Sequence, residues 1–150
     1  MITIVDRSAL QLPGSPTSRF EGADHSADVS MFWVHTPPGK GPDFHWHPYT
    51  ETWVVLQGEV RIEAGDEQLL AQTGNIVTVP ANTNHRFWNV GRAELEMLCI
   101  HASPTIIQEF VTPPPSPRQR STPRNLEEGD HRDNLGRASA WTHQHAAGSP

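Results

Sequence analysis

Hydrophobic and polar residues alternate in short runs along the first three quarters of the chain. The runs include VSMFWVHT, ETWVVLQ, IVTVPANTN, HRFWNVGRA and ELEMLCIHAS, and they are separated by turn-forming residues such as Gly, Pro, Asn and Asp. An alternation of period two is typical of β-strands, and no segment shows the long stripe of period 3.6 that would indicate a helix. The pattern therefore predicts an all-β barrel or sandwich.

Two turns are predicted within this pattern. Gly58 and Glu59 separate the run TWVVLQ from the run VRIEA, and so short a connection predicts a β-hairpin between the two runs. Gly65 and Asp66 mark the next turn, in the segment AGDEQ.

The run that begins at Glu51 is apolar on both faces. If Glu51 points inward, Trp53 follows it on the inner face and Val54 points outward. A strand that is apolar on both sides is normally covered on both sides. We therefore expect packing against a second sheet, a partner subunit or both, and a homodimer is the simplest expectation.

Hydrophobic residues make up only 35% of the chain, against roughly 45 to 50% in soluble globular proteins. The deficit is concentrated from Thr112 onward, where Pro, Ser and Arg dominate. Such a segment cannot bury enough apolar surface to offset its chain entropy. The predicted organisation is an N-terminal arm with edge strands at 1–28, a β-barrel at 29–111 and a disordered Pro/Ser/Arg-rich tail at 112–150.

The part of the chain up to Val111 is acidic, with 13 acidic and 6 basic residues and a net charge of −7. An acidic surface repels phosphate backbones, so we expect no nucleic-acid partner. No apolar run approaches the roughly 20 residues that span a bilayer, and the N-terminus lacks a signal pattern. We therefore expect no membrane association and a cytoplasmic protein.

Three histidines and one glutamate form the pattern that points to chemistry. His45 and His47 lie two residues apart, which places both imidazoles on one face of an extended strand. Glu51 follows at the head of the next β-prone run, and His85 comes later in NTNHRFWN. If their strands are adjacent, the four side chains can converge. Such a donor set suits one divalent transition metal ion, such as Fe, Mn, Ni, Zn or Cu.

The spacing of these residues resembles the two motifs of the cupin superfamily. The first motif is matched by Gly39, His45, His47, Glu51 and Gly58, and the second by Gly74, Pro80, His85 and Asn89. Asn82 stands where the family usually has Gly, and Asn also tolerates the left-handed backbone conformation. The sequence is therefore similar to a small, single-domain cupin.

The resemblance implies a jelly-roll β-barrel with a metal held by His45, His47, Glu51 and His85. It also implies a metal-dependent enzyme that acts on a small molecule, with dioxygenase-type chemistry as the first expectation. Carboxylate chemistry, independently of the resemblance, makes Glu51 a candidate catalytic base. Isomerisation or epimerisation of a sugar or keto acid is an alternative. A non-catalytic module that binds or senses a small molecule is another.

Alternation along the strands also predicts the walls of a pocket beside the metal. Trp53 and Phe87 are expected to line it. Met97 and His101, which share one face of ELEMLCIHAS with Cys99, are candidates for the same wall. The single cysteine cannot form an internal disulfide and is expected to be buried.

Overall fold

The alternating runs of the sequence form short, regular β-strands. The structure, a computed structural model, describes residues 2–111, so the predicted disorder of 112–150 lies outside the described residues. The strands are β1 (Ser18–Phe20), β2 (Ser30–Thr36), β3 (His45–Trp46), β4 (Glu51–Gln57), β5 (Glu59–Ala64), β6 (Glu67–Gln72), β7 (Ile76–Val79), β8 (His85–Asn89), β9 (Leu95–His101) and β10 (Glu109–Phe110). Single-turn 3-10 helices lie at Arg7–Leu10 and Gly22–His25. Within residues 2–111, no helix has the length and apolar character needed to cross a membrane.

The strands form two five-stranded antiparallel sheets. Sheet A has the order β1-β2-β9-β4-β7, and sheet B has the order β10-β3-β8-β5-β6. From β3 to β9 the chain passes repeatedly between the two sheets, as a jelly roll requires. The predicted all-β architecture is confirmed.

The hairpin predicted at Gly58 is wrong. The strand before it, β4, pairs with β7 and β9, whereas the strand after it, β5, pairs with β6 and β8. Gly58 has a φ of +99°, a conformation open to glycine, and the chain crosses there from sheet A to sheet B. The turn predicted at Gly65 and Asp66 does join a hairpin, because β5 and β6 pair up to Ala64 and Glu67.

The core lies between the facing surfaces of the two sheets. In β8 and β9 every second side chain is buried, which is the alternation expected of strands covered on one face. The largest apolar side chains with less than 2% exposure are Trp53, Val55, Val60, Ile62, Leu95 and Met97. Each contributes roughly 1.5 to 3 kcal/mol through removal of apolar surface from water. The packing of this core fixes the strands that carry the buried polar residues His45, Glu51 and His85.

The N-terminal arm is hydrogen-bonded to β2 of sheet A and to the segment that follows β9. Strand β1 extends the sheet by pairing with β2. The backbone N–H of Ala23 donates to the carbonyl of Pro104 at 2.7 Å, and the N–H of Ile106 donates to the Glu21 carboxylate at 2.7 Å. The arm therefore holds the segment that follows β9.

Candidate metal centre

The four candidate metal ligands come from strands of both sheets. His45 belongs to β3 and His85 begins β8, and these two residues are direct partners in sheet B. His47 follows β3, and Glu51 begins β4 in sheet A. Asn82, whose φ of +60° is left-handed, forms the turn that leads into β8. The fold thus joins residues that are up to 40 positions apart in the sequence.

The ligand atoms of these side chains converge in the interior. One donor atom each from His45, His47, Glu51 and His85 lies within 4.8 Å of the others, and all four residues are buried. Oε2 of Glu51 lies 3.0 Å from Nε2 of His85 and 3.4 Å from Nε2 of His47. A site of this size could hold a single metal ion.

The orientation of each of the three imidazoles is fixed by a backbone carbonyl. Nδ1 of His45, His47 and His85 lies 2.7 Å from a backbone oxygen in every case. The carbonyls belong to Asp43, Ile107 and Thr83, respectively. A carbonyl oxygen can only accept, so Nδ1 carries the ring proton and donates it. In the neutral imidazole the lone pair of Nε2 is then left for a ligand.

Electrostatics favour an ionised glutamate beside neutral imidazole. Burial alone would raise the pKa of the Glu51 carboxyl, but His47, His85 and His101 outweigh it and hold that pKa well below its usual range. Burial lowers the pKa of His45 to about 4, so this ring is neutral at pH 7. Burial also opposes protonation of His47, but its contacts with Glu51 and with the Ile107 carbonyl raise its pKa.

The chemistry of the donor set fits a cation. Nε2 of His47, Nε2 of His85 and Oε2 of Glu51 are buried and have no hydrogen-bond partner among the described residues. With protons on Nδ1, short distances between Nε2 and Oε2 bring lone pairs face to face, which is unfavourable unless a proton or a metal ion lies between them. Three nitrogens and one oxygen suit Fe, Mn, Ni, Cu or Zn.

A cavity of about 380 Å³ leads to the donor atoms. His45 and Glu51 line it, and Phe32, Val34, Phe87 and Cys99 form apolar parts of its wall. Phe87 therefore lies where the sequence placed it. The N-terminal segment from Gly14 to Thr17 and the distant Gln108 also line the cavity. Sequence reasoning missed them, because they belong to no motif and to no alternating run.

Three other residues predicted for the pocket wall, Trp53, Met97 and His101, are fully buried and are not among the side chains that line this cavity. Trp53 and Met97 are fully buried, and the ring of Trp53 contacts the rings of His85 and Phe87 edge-on. His101 is also fully buried, with Nε2 3.3 Å from Oε1 of Glu51. His101 therefore contacts the carboxylate of the donor set.

Comparison with known proteins agrees with this architecture. The family model described as "Cupin domain" matches residues 32–101. The polyketide synthase CurC of Streptomyces cyaneus is 34% identical over 68 residues, which is 45% of this chain and 44% of that protein. The chain thus spans less than half the length of this curated relative.

Solved structures share the fold at low sequence identity. Oxalate decarboxylase of Lactobacillus farciminis aligns with a TM-score of 0.60 and 19% identity, over 67% of this chain and 32% of that one. The Bacillus subtilis oxalate decarboxylase whose Mn(II) centres have been studied aligns with a TM-score of 0.61 and 20% identity, over 68% and 29%. Both sequence motifs, the two-sheet fold and the match of residues 32–101 to the cupin model together support a small domain of the cupin superfamily.

Proposed function

We propose that this protein is a metal-dependent cupin enzyme that acts on a small molecule, with dioxygenase-type chemistry as the leading reaction. The observation that carries the proposal is the buried set of four donor atoms within 4.8 Å, formed by His45, His47, Glu51 and His85. Each imidazole presents Nε2 to the centre because Nδ1 is bonded to a carbonyl. Four protein ligands leave open positions on a six-coordinate ion, as a catalytic metal needs.

In this proposal a divalent ion would polarise a substrate oxygen and, if redox-active, support reaction with O₂. The chain's own residues hold the ion and shape the access to it. The cavity of about 380 Å³ is lined by apolar side chains such as Phe32 and Phe87 and by polar ones such as Lys40, which favours a small molecule that has an apolar part and presents oxygen atoms. Glu51 is the candidate base, because its carboxylate lines the cavity beside the other donor atoms.

A ligand-binding or sensor role is the alternative of a different class. The same cavity would then hold a small molecule without converting it. Metal-assisted isomerisation or epimerisation would use the same ligands without O₂. The names of the similar proteins, which include a polyketide synthase and an oxalate decarboxylase, cover different chemistries.

Metal content tests the site itself. Elemental analysis of protein purified without added metal should give about one transition-metal ion per chain. His47→Ala should lose most of this metal and unfold at a lower temperature, because a bound ion stabilises the native state. His25→Ala serves as the control, since His25 stacks on Phe20 in the N-terminal arm. Equal metal content in the two variants would contradict the proposal that His47 is a metal ligand.

Measurement of O₂ consumption distinguishes an enzymatic role from a sensor role. Protein loaded anaerobically with Fe(II) should consume O₂ with at least one member of a panel of phenols, diketones and thiols. Glu51→Gln should abolish the consumption. Tight binding of a panel member without turnover, with Fe(II), Mn(II), Ni(II) or Zn(II), would instead favour the sensor role.

We further propose that the protein acts as a homodimer that covers the outer face of sheet A. Trp33, Leu98, Val54 and Ile76 follow one another across four strands as direct register partners. Their side chains point away from the core, and Ile76 is 70% exposed. A continuous apolar row on an outer sheet face favours contact with an equivalent face of a second copy.

A further inference from the structure

The cavity beside the donor set has one fixed positive charge in its wall. Among the residues that line it, Lys40 is the only lysine or arginine, and Glu51 is the only aspartate or glutamate. Glu51 is buried whereas Lys40 is exposed, so the two charges lie in the inner and outer parts of the cavity. Phe32, Val34 and Phe87 add apolar surface to the same wall. The cavity therefore combines a buried donor set, an apolar wall and a cation near solvent.

The ammonium group of Lys40 is not engaged by a carboxylate of the fold. Within residues 2–111 no salt bridge involves Lys40, although this part of the chain has 13 acidic residues. By contrast, Nε of Arg86 lies 2.7 Å from a carboxylate oxygen of Glu63. The charge of Lys40 is therefore available to a ligand that enters the cavity.

Backbone hydrogen bonds hold the loop that carries Lys40 against β8. The N–H of Gly39 donates to the carbonyl of Asn89 at 2.8 Å, and the N–H of Asn89 donates to the carbonyl of Lys40 at 2.9 Å. At Gly41 the loop approaches the carbonyl of Phe87 so closely that a Cβ atom would overlap it. The backbone of Lys40 therefore has a defined place at the end of the strand that carries one of the metal ligands.

This place sets the length of a ligand that could reach both the metal and the ammonium group. Asn89 lies four residues beyond His85 in β8, which corresponds to about 13 Å along the strand at roughly 3.3 Å per residue. The flexible side chain of Lys40 can extend over part of this distance. A molecule of the size of one substituted aromatic ring would span the remainder, and the cavity of about 380 Å³ has room for it.

The charges of the cavity favour an anionic ligand once a divalent ion is bound. Lys40 adds to the positive charge that the ion brings, and Glu51 alone opposes them. Sites built for phosphate usually provide backbone N–H groups at the N-terminus of a helix, and residues 2–111 contain no α-helix. A single ammonium group instead matches the single negative charge of a carboxylate.

We infer that Lys40 is a substrate-binding residue that pairs with a carboxylate, and that the ligand of this cavity is a small, ring-sized carboxylate whose opposite end presents oxygen to the metal. The inference rests on the proposed function and adds the charge and the approximate length of the substrate. The ammonium group holds one end of the ligand while the apolar wall packs against its body, so that the oxygen atoms of the other end face the donor set.

The test uses two ligands of the same shape that differ in charge. 3,4-Dihydroxybenzoate and 3,4-dihydroxybenzamide share the hydroxyl oxygens that bind a metal, but the benzoate alone carries a carboxylate. Each is titrated anaerobically into the full-length protein loaded with Co(II), and its Kd is read from the visible absorption of the ion. The ratio of the two Kd values is compared between wild type, Lys40→Met and Lys40→Arg, because the ligands' own difference in metal affinity cancels in this comparison.

Arg61→Met is the matched control for net charge. Arg61 is exposed, and it alternates along β5 with the core residues Val60 and Ile62, so it lies on the outer face of sheet B. The variant removes one positive charge, as Lys40→Met does, but away from the cavity.

We expect the preference for the carboxylate to fall about three- to fivefold in Lys40→Met, which is the effect of an exposed ion pair. Lys40→Arg and Arg61→Met should keep the wild-type ratio, and all variants should bind Co(II) as the wild type does. An unchanged ratio in Lys40→Met, or an equal fall in Arg61→Met, would overturn the inference and leave the metal centre standing. Binding of neither ligand to the Co(II)-loaded wild type would do the same. A wild-type protein that binds no Co(II) would overturn the proposed function as well.

Discussion

At the scale of single residues, the metal ligands differ in what holds them. The carbonyls that orient His45 and His85 belong to residues two positions earlier in the chain, so the local strand geometry supplies them. The carbonyl that orients His47 belongs to Ile107, 60 residues away. The orientation of His47 therefore depends on the segment between β9 and β10.

Tyr49 fixes this segment and provides a direct test of the dependence. Its hydroxyl donates to the carbonyl of Ile107 at 3.1 Å and accepts the N–H of Ile107 at 2.7 Å. Tyr49→Phe should lower the free energy of unfolding by about 1 kcal/mol, because these bonds are lost. It should also weaken metal binding severalfold through His47. Urea unfolding and chelator competition measure the two effects, and Thr52→Ser on the outer face of β4 is the control. Weakened stability with unchanged metal affinity would contradict the coupling.

The thiol of Cys99 should be unreactive in the folded protein. Cys99 is the single cysteine of the chain and is only 2% exposed. Burial raises its pKa well above the usual value, so the thiolate that would react is scarce at pH 8. Labelling with a chromogenic disulfide at pH 8 should be slower than in urea by on the order of 100-fold or more. Similar rates in the two states would show that the cavity wall opens readily.

At the scale of elements, alternation identified most of the long strands and, for β4, the side that faces the core. It did so because β4, β8 and β9 each have one face in the barrel interior. The partner of a strand was harder to predict. The connection at Gly58 looks the same in sequence whether the strands around it pair or separate, and the choice depends on distant partners in β7, β8 and β9.

The candidate site, like the fold, could be predicted from the sequence only in part. The cupin motifs identified the four donor residues, because the strands that carry these residues set the spacing of the motifs. The carbonyl of Ile107 could not be predicted, because a backbone acceptor leaves no trace in the sequence. The contact of His101 with Glu51 requires the pairing of β4 with β9, which spans 50 residues.

Two glycines of one loop should respond differently to substitution. An added Cβ at Gly41 would overlap the carbonyl of Phe87 in β8, whereas one at Gly39 would meet no atom within 4 Å. Gly39 has a φ of +74°, so Gly39→Ala should cost about 1 to 2 kcal/mol of unfolding free energy. Gly41→Ala should cost about 3 kcal/mol or more, because backbone must move. Urea unfolding of both variants measures the difference, and equal costs would contradict the close approach.

At the scale of the whole molecule, the outer face of sheet A should determine the oligomeric state. Light scattering should give twice the chain mass of 16.7 kDa. Ile76→Lys places a charge at the exposed end of the proposed apolar row, on the edge strand β7, and should shift the protein toward the monomer. Leu70→Lys, on the exposed edge strand β6, is the control and should leave the mass unchanged. A dimer that tolerates Ile76→Lys would place the contact elsewhere.

The donor set has a mechanical consequence, because His45 and His85 belong to one layer of the sandwich and Glu51 to the other. An ion bound there would add a cross-link between the two layers at the end that carries the donor set. Removing it should let the layers separate slightly at that end of the sandwich, where the substrate would enter. Amide hydrogen exchange in β3 and β4 should therefore accelerate together when the ion is chelated. Metal binding would then also make the entrance of the cavity more rigid.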